Sequence, residues 1–374
     1  MTNELHSRRT PHFRRRASVL AGLAAVLALG VAAAPASAAK VQYGLAPQTT
    51  LTAADYAGIN SLKTDVIRIG LSWPGIQPNA GTCTAQGGAC NWSFPDNQIG
   101  ANAANGIETV ATLFGSPPFI AADGNTPPVK DIDAWRQWVT AAAERYGPGG
   151  TYWSGPYQAV FGANAPVTPI RTWLVWNEQS SFQFFKPKPK VKKYAKILEP
   201  ASDALQDADK KAEVLTGGMF PDTGPKGIQI EKYVKDLYKQ KGIGNKTIDA
   251  VSIHPYAKSG KELDKQIKSL RKTMDKSGGK KDDIWVTEMG YASGGPKSQP
   301  VVKKGEKGQA KAIKDAYKTI DKKDKKYDIA GVIYFTWQDA DRSTGVCKFC
   351  AFAGLIDENG QEKKAFKAYK KATK

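Results

Sequence analysis

The chain has 374 residues and is strongly basic, with 54 Lys and Arg against 35 Asp and Glu, yet it carries only 4 cysteines and 3 histidines. Two of those histidines, His6 and His12, lie in a segment that reads as a removable signal. The remaining His254 can build neither a multi-histidine metal centre nor a Ser/His/Asp set with a histidine to spare.

The first residues run from Arg8, Arg9 and Arg14 to Arg16, through an apolar stretch from Val19 to Ala34, to the small-residue site Ala36-Ser37-Ala38. This order predicts a secretory signal over residues 1–38. Its apolar core is shorter than the ~20 residues that span a bilayer, and no later stretch is apolar enough to serve, so no membrane span is expected. The expectation is a secreted protein with a single domain over residues 39–374. Loss of the signal removes five arginines and Glu4, leaving 49 basic and 34 acidic residues and a charge of about +15.

Eight strands are predicted. They read VQYGLA from Val41, DVIRIGLSW from Asp65, ETVATLFG from Glu108, RTWLVWNE from Arg171, AEVLTGGM from Ala212, DAVSIHPY from Asp249, DIWVTEMG from Asp283 and GVIYFTWQD from Gly331. Most are continuous apolar runs, as strands covered on both faces require. Between them lie segments of helical period: a short one around Asn97 to Asn105, then Ile230, Tyr233, Val234, Leu237 and Tyr238, then Leu263, Ile267, Leu270 and Met274, then Ala310, Ile313, Tyr317 and Ile320. Each helix with a single apolar stripe packs on one side only. Eight strands alternating with such helices predict an α/β fold, a single (β/α)₈ TIM barrel. No Gly-x-Gly-x-x-Gly follows the first strand, and no metal or organic cofactor is implied.

Four cysteines, Cys83, Cys90, Cys347 and Cys350, allow three disulfide connectivities in an exported chain. Local bridges, Cys83 to Cys90 and Cys347 to Cys350, are favoured over cross-linking of the two pairs. A redox role for the Cys-Lys-Phe-Cys run, or zinc held by all four thiolates, are the other readings.

Sites in this kind of barrel form at the C-terminal ends of the strands. The fourth strand ends in Trp176-Asn177-Glu178 and the seventh in Thr287-Glu288-Met289-Gly290. Two carboxylates facing each other across the mouth suit glycoside cleavage, one as the acid and one as the nucleophile. On these motifs the sequence resembles clan A of the glycoside hydrolases, retaining barrel enzymes, and within it families five and thirty-nine, from about Val41 to Asp357. The resemblance makes Glu178 the acid/base, Glu288 the nucleophile and Asn177 the partner of a sugar 2-hydroxyl.

It extends to other strand ends. His254-Pro255-Tyr256 resembles the clan's His-x-Tyr element, whose tyrosine contacts the nucleophile. Arg68 occupies the second-strand position where family-five enzymes keep an arginine near the nucleophile, and a guanidinium inside an apolar strand must find an anion. Trp337 matches the aromatic platform under the reacting sugar, with Trp73, Trp92, Phe182 and Phe184 as possible extensions or as packing. The family's usual proline or asparagine after the strand-4 glutamate is replaced by Gln179, Ser180 and Ser181, a departure that bears on substrate preference.

The implied activity is retaining hydrolysis of O-glycosidic bonds in a β-linked glycan or glycoside. The rival reading is a carbohydrate- or cell-envelope-binding barrel without turnover. The lysines of Lys186 to Lys196 and of the later helices read as a solvated outer ring or as a surface for an anionic cell envelope or acidic polysaccharide. Nucleic acid is not an expected partner of an exported chain.

Overall fold

The computed structural model describes residues 40–221, 224–244, 246–341 and 347–374, so the expected signal over residues 1–38 lies outside the described residues. The strands are β1 Gln42–Leu45, β2 Val66–Ser72, β3 Glu108–Phe114, β4 Thr172–Val175, β5 Glu213–Thr216, β6 Ala250–Ile253, β7 Asp283–Met289 and β8 Ile329–Tyr334. They form a closed barrel in which every strand is parallel to its neighbours and β1 pairs with β8. A principal helix follows each strand: α1 Ala53–Ser61, α2 Ser93–Ala104, α3 Ile132–Tyr146, α4 Val191–Ala208, α5 Ile230–Leu237, α6 Gly260–Ser277, α7 Gly305–Asp321 and α8 Lys364–Ala372. The (β/α)₈ expectation is met. None of the described helices is long and apolar enough to cross a membrane.

Side-chain alternation divides the core in two. Val66, Val110, Leu174, Leu215, Ala250, Trp285 and Ile333, one from each of seven strands, form an apolar cluster that fills the barrel. Trp285 is the largest of them, and its bulk is admitted by Gly331 on β8, where any Cβ would collide with the indole. Strand residues of the other set pack outward against the helices. There Trp73, Trp135 and Trp138 are fully buried with ring centroids 5.4 to 5.6 Å apart. Trp92 is likewise buried, edge-on to Tyr146. Neither Trp73 nor Trp92 therefore extends an exposed platform.

A short hairpin, with strands Cys83–Thr84 and Gly87–Gly88, is closed by the Cys83–Cys90 disulfide, and Cys347 pairs with Cys350. The local connectivity is the one observed. Arg145 of α3 fixes the hairpin by donating to the Ala85 carbonyl while its guanidinium grips Asp96 of α2 at 2.5 and 2.8 Å. Tyr146 donates to the same carboxylate at 2.7 Å, so this buried charge is paired and hydrogen-bonded.

Two expectations are corrected. The helix expected around Asn97 to Asn105 begins earlier, at Ser93, because Pro95 is tolerated in a first helical turn. Trp337 is not a platform. β8 ends at Tyr334, and Trp337 is only 2% exposed, with its ring against Gly58 of α1 and near Phe366 of α8. Its indole N–H donates to Asp55 Oδ1 at 2.7 Å, and the other carboxylate oxygen of Asp55 caps α1 through the backbone and hydroxyl of Thr52.

Burial pushes the Asp55 carboxyl up, but the hydrogen bonds from Trp337 and Thr52 outweigh it and hold it below its ordinary value. A carboxylate depressed in this way contributes stability above its unfolded pKa, and that stability is lost as the pH falls through the folded value. Trp337→Phe is therefore expected to lower the unfolding free energy at neutral pH by about 1 kcal/mol through this bond, a modest figure because Asp55 is partly exposed. Urea unfolding at a series of pH values should show the gap from wild type narrowing as the pH drops below the usual carboxylate range. A gap that stays constant with pH would assign the loss to packing alone.

Candidate active site

The C-terminal end of β4 is shaped by an abrupt turn. Trp176 has a φ of 73° and Glu178 a φ of 43°, left-handed values that cost a non-glycine residue about 1–3 kcal/mol. Trp176 is anchored for this: its ring is fully buried against Phe114, Trp135 and Phe185, and its indole donates to the Phe184 carbonyl at 2.6 Å. The turn swings Asn177 and Glu178 over the barrel mouth, where the Glu178 amide donates to the Gly218 carbonyl at 3.1 Å.

Glu288 comes from β7 and its side chain is 15% exposed. Arg68 of β2 donates to Glu288 Oε1, and Tyr256 donates to Oε2 at 2.6 Å. The same guanidinium donates to Asn177 Oδ1 and to Thr112 Oγ1, both at 2.9 Å. His254 lies between the two glutamates, with Nδ1 2.9 Å from Glu178 Oε1 and 3.5 Å from Glu288 Oε2. Its Nε2 is 3.1 Å from Thr287 Oγ1. Nδ1 thus faces the two carboxylates, and Nε2 pairs with the threonine hydroxyl. Oxygens of Glu178 and Glu288 and a ring nitrogen of His254 lie within 4.8 Å of one another.

The electrostatics of Glu288 are set by its neighbours. Burial pushes the Glu288 carboxyl up, but the charges of His254 and Arg68 and the hydrogen bond from Tyr256 more than offset it, holding Glu288 below the ordinary glutamate range. Tyr256 is driven well above the usual phenol value, first by burial and then by the neighbouring Glu288 charge, so it remains a donor. Glu178, His254 and Glu288 also offer one donor atom each to an ion. Both oxygens of Glu288 already accept hydrogen bonds, however, and the Arg68 charge against one of them repels a second cation.

The structure thus brings together Arg68, Asn177, Glu178, His254, Tyr256 and Glu288. It adds three residues that the strand-end motifs did not single out. Thr112 holds Arg68, Thr287 orients His254, and Gly218 leaves room for the imidazole, since a Cβ there would run into the His254 ring. The GG of the fifth strand was the available signal for the last of these. The aromatic faces near Glu288 also differ from those expected. Phe220 and Phe349, both partly exposed, meet the Tyr256 ring at 5.9 and 5.5 Å, and Phe349 is carried by the Cys347–Cys350 loop. Phe182 is partly exposed, with the ammonium groups of Lys186 and Lys226 at 5.1 and 5.6 Å from its ring centroid, whereas Phe184 packs toward Phe114.

Residues 152–369 match the family described as the glycosyl hydrolase catalytic core. Among solved structures, the chain is similar to a glucosidase from Croceicoccus marinus, with a TM-score of 0.65 and 15% identity over 89% of this chain and 66% of that one. A family 39 glycoside hydrolase from the gut symbiont Bacteroides cellulosilyticus WH2 gives a TM-score of 0.58 and 14% identity, covering 89% of this chain and 63% of the other. Xylanase 10B from Thermotoga petrophila RKU-1 gives 0.56 and 15%, covering 89% and 94%. The chain spans just under two thirds of the length of the first two, and at these identities the likeness is one of fold. No curated protein sequence matches the chain. The family match starts at residue 152, well after the Val41 from which the resemblance was expected, but it includes the ends of both β4 and β7. With more than half of its residues in that match, the chain belongs to the glycosyl hydrolase catalytic core family.

Proposed function

We propose that the protein is a secreted, retaining glycoside hydrolase acting on a β-linked glycan or glycoside, with Glu288 as nucleophile and Glu178 as acid/base. The observation that carries this reading is the approach of the two carboxylates, whose oxygens fall within a 4.8 Å group. Retaining pairs stand about 5–5.5 Å apart, whereas inverting pairs stand about 6.5–9.5 Å apart to admit a water.

The chemistry follows from the environments. Glu288, held ionised, attacks the anomeric carbon as the glycosidic C–O bond breaks, and Glu178 gives its proton to the departing oxygen. Water then yields a proton to Glu178 and attacks the same carbon, which releases Glu288. His254 fixes the Glu178 carboxyl through Nδ1. Asn177 accepts from Arg68 through Oδ1, which leaves its amide N–H groups as donors for a sugar hydroxyl. Phe220 and Phe349 offer apolar faces for a pyranose in the place given to Trp337 by the sequence.

Glu288→Ala should abolish turnover of every substrate. Glu178→Ala should retain turnover of aryl glycosides with good leaving groups and gain rate with added azide. Steady-state kinetics over a leaving-group series measures both. Loss that is equal for all leaving groups and unrescued by azide would cancel the assignment, and binding without hydrolysis across a broad glycan panel would favour the non-catalytic barrel.

The Tyr256 hydroxyl stabilises the ionised form of Glu288, so Tyr256→Phe should raise the nucleophile's pKa and move the acid limb of the kcat/KM profile to higher pH. An acid limb that does not move would mean that it reports another group. Export is tested separately: protein recovered from culture medium should begin near Ala39 by N-terminal sequencing, and an intact Met1 there would remove the signal.

A further inference from the structure

The basic charge of the outer ring becomes ordered at one place. α7 and α8 pack against each other and, as helices of successive βα units, both descend from the C-terminal face of the barrel. α7 turns Lys307, Lys311 and Lys314 toward the space between them, and α8 turns Lys364, Lys367 and Lys371, so six exposed lysines wall a groove of about 670 Å³. Their spacings, i, i+4, i+7 and i, i+3, i+7, make two straight rails with a charge about every 5 Å along each helix. The Glu306 carboxylate of α7 accepts from the first amide of α8 at 3.0 Å, which ties the upper ends of the rails together.

The α8 rail is built differently from the lysine-rich helices beside it, since α7 carries Glu306, Asp315 and Asp321. α6 intersperses its lysines with Glu262, Asp264 and Asp275, and α8 contains no acidic residue at all. Among the described residues, the one acid in the groove wall is Asp315, and it is already engaged by Lys311 at 2.6 Å. Among the described residues, the other five lysines have no salt-bridge partner. Like charges three and four residues apart oppose the helix that carries them, and two such rows side by side oppose each other.

We propose that the α7–α8 groove binds a single extended chain of an acidic polysaccharide, whose carboxylates lie between the two lysine rails. The wall contains neither arginine to read base edges nor an aromatic ring to stack bases, which sets nucleic acid aside. The axes of packed helices stand about 8–10 Å apart, so one polymer strand lying over the seam can be reached from both lysine rows. The groove begins at the rim of the barrel mouth, where α7 and α8 start, and the inference is independent of the reading given to Glu178 and Glu288.

The test is titration of the whole protein with polygalacturonate at low salt. Lys364→Gln/Lys367→Gln/Lys371→Gln should weaken binding at least about tenfold, and so should Lys307→Gln/Lys311→Gln/Lys314→Gln on the opposite rail. Lys265→Gln/Lys268→Gln/Lys272→Gln on α6 removes the same charge and should change binding less than about twofold. Wild-type binding should also weaken as salt rises to physiological strength, where the Debye length is ~8 Å. Equal weakening by the α6 and groove triples would assign the effect to net charge and overturn the groove. Absence of polygalacturonate binding, or tighter binding of single-stranded DNA at matched charge, would also overturn it. Circular dichroism of each triple, together with a second rail as an independent variant, separates a lost site from a lost fold.

Discussion

The mouth of this barrel is organised by one buried guanidinium. Arg68 rises from an apolar strand into a space where an unpaired charge would be strongly disfavoured, and it is satisfied by Glu288, Asn177 and Thr112 together. Those partners come from β7, the end of β4 and β3, so a single side chain sets the relative positions of three other strands. The pairing works in both directions. Glu288 neutralises the arginine, and the arginine helps to keep Glu288 anionic despite its burial. Below this layer the barrel is filled with apolar side chains; above it the polar groups converge. The boundary between packing and chemistry therefore runs through the residues that Arg68 touches.

The glutamate on β4 depends on a different part of the fold. Its backbone is held in a left-handed turn, which the bonds of Arg68 to Asn177 and of His254 to Glu178 restrain only from the barrel side. The other restraint comes from outside the barrel, where Trp176 is locked among Phe114, Trp135 and Phe185. Trp135 in turn stacks with Trp73 and Trp138 between strand and helix. The aromatic layer is thus a positioning device as well as a source of stability, because loosening it would free the segment that carries Glu178.

These two dependencies explain what could be read from the sequence and what could not. Asn177-Glu178, Glu288, Arg68 and His254-x-Tyr256 were legible because each closes or occupies a strand, and strand ends in a closed parallel barrel converge on one face. Trp337 was misplaced for the same reason. Its run, GVIYFTWQD, reads as one long strand, but the ladder stops at Tyr334 and the chain turns, so that Trp337 meets Asp55, 282 residues away in sequence. Periodicity carries no information about such a partner. Phe349 was out of reach because its position depends on a loop closed by Cys347 and Cys350, and Thr112 because a threonine within an apolar strand resembles any other β-branched filler.

The charge distribution gives the last link between outside and inside. The site contains one guanidinium and two carboxylates, and its polar groups are nearly all engaged with one another, so it has little free charge with which to attract an anionic polymer. The lysine rails of α7 and α8 have charge and almost no other chemistry. A neutral sugar ring is recognised by directional hydrogen bonds and apolar faces, which must be rigid and partly buried to be selective. A polyanion is recognised by repeated exposed charge, which needs only a regular scaffold. On the readings proposed above, the barrel supplies both from the same architecture, with strand ends fixing the first kind of group and adjacent parallel helices spacing the second.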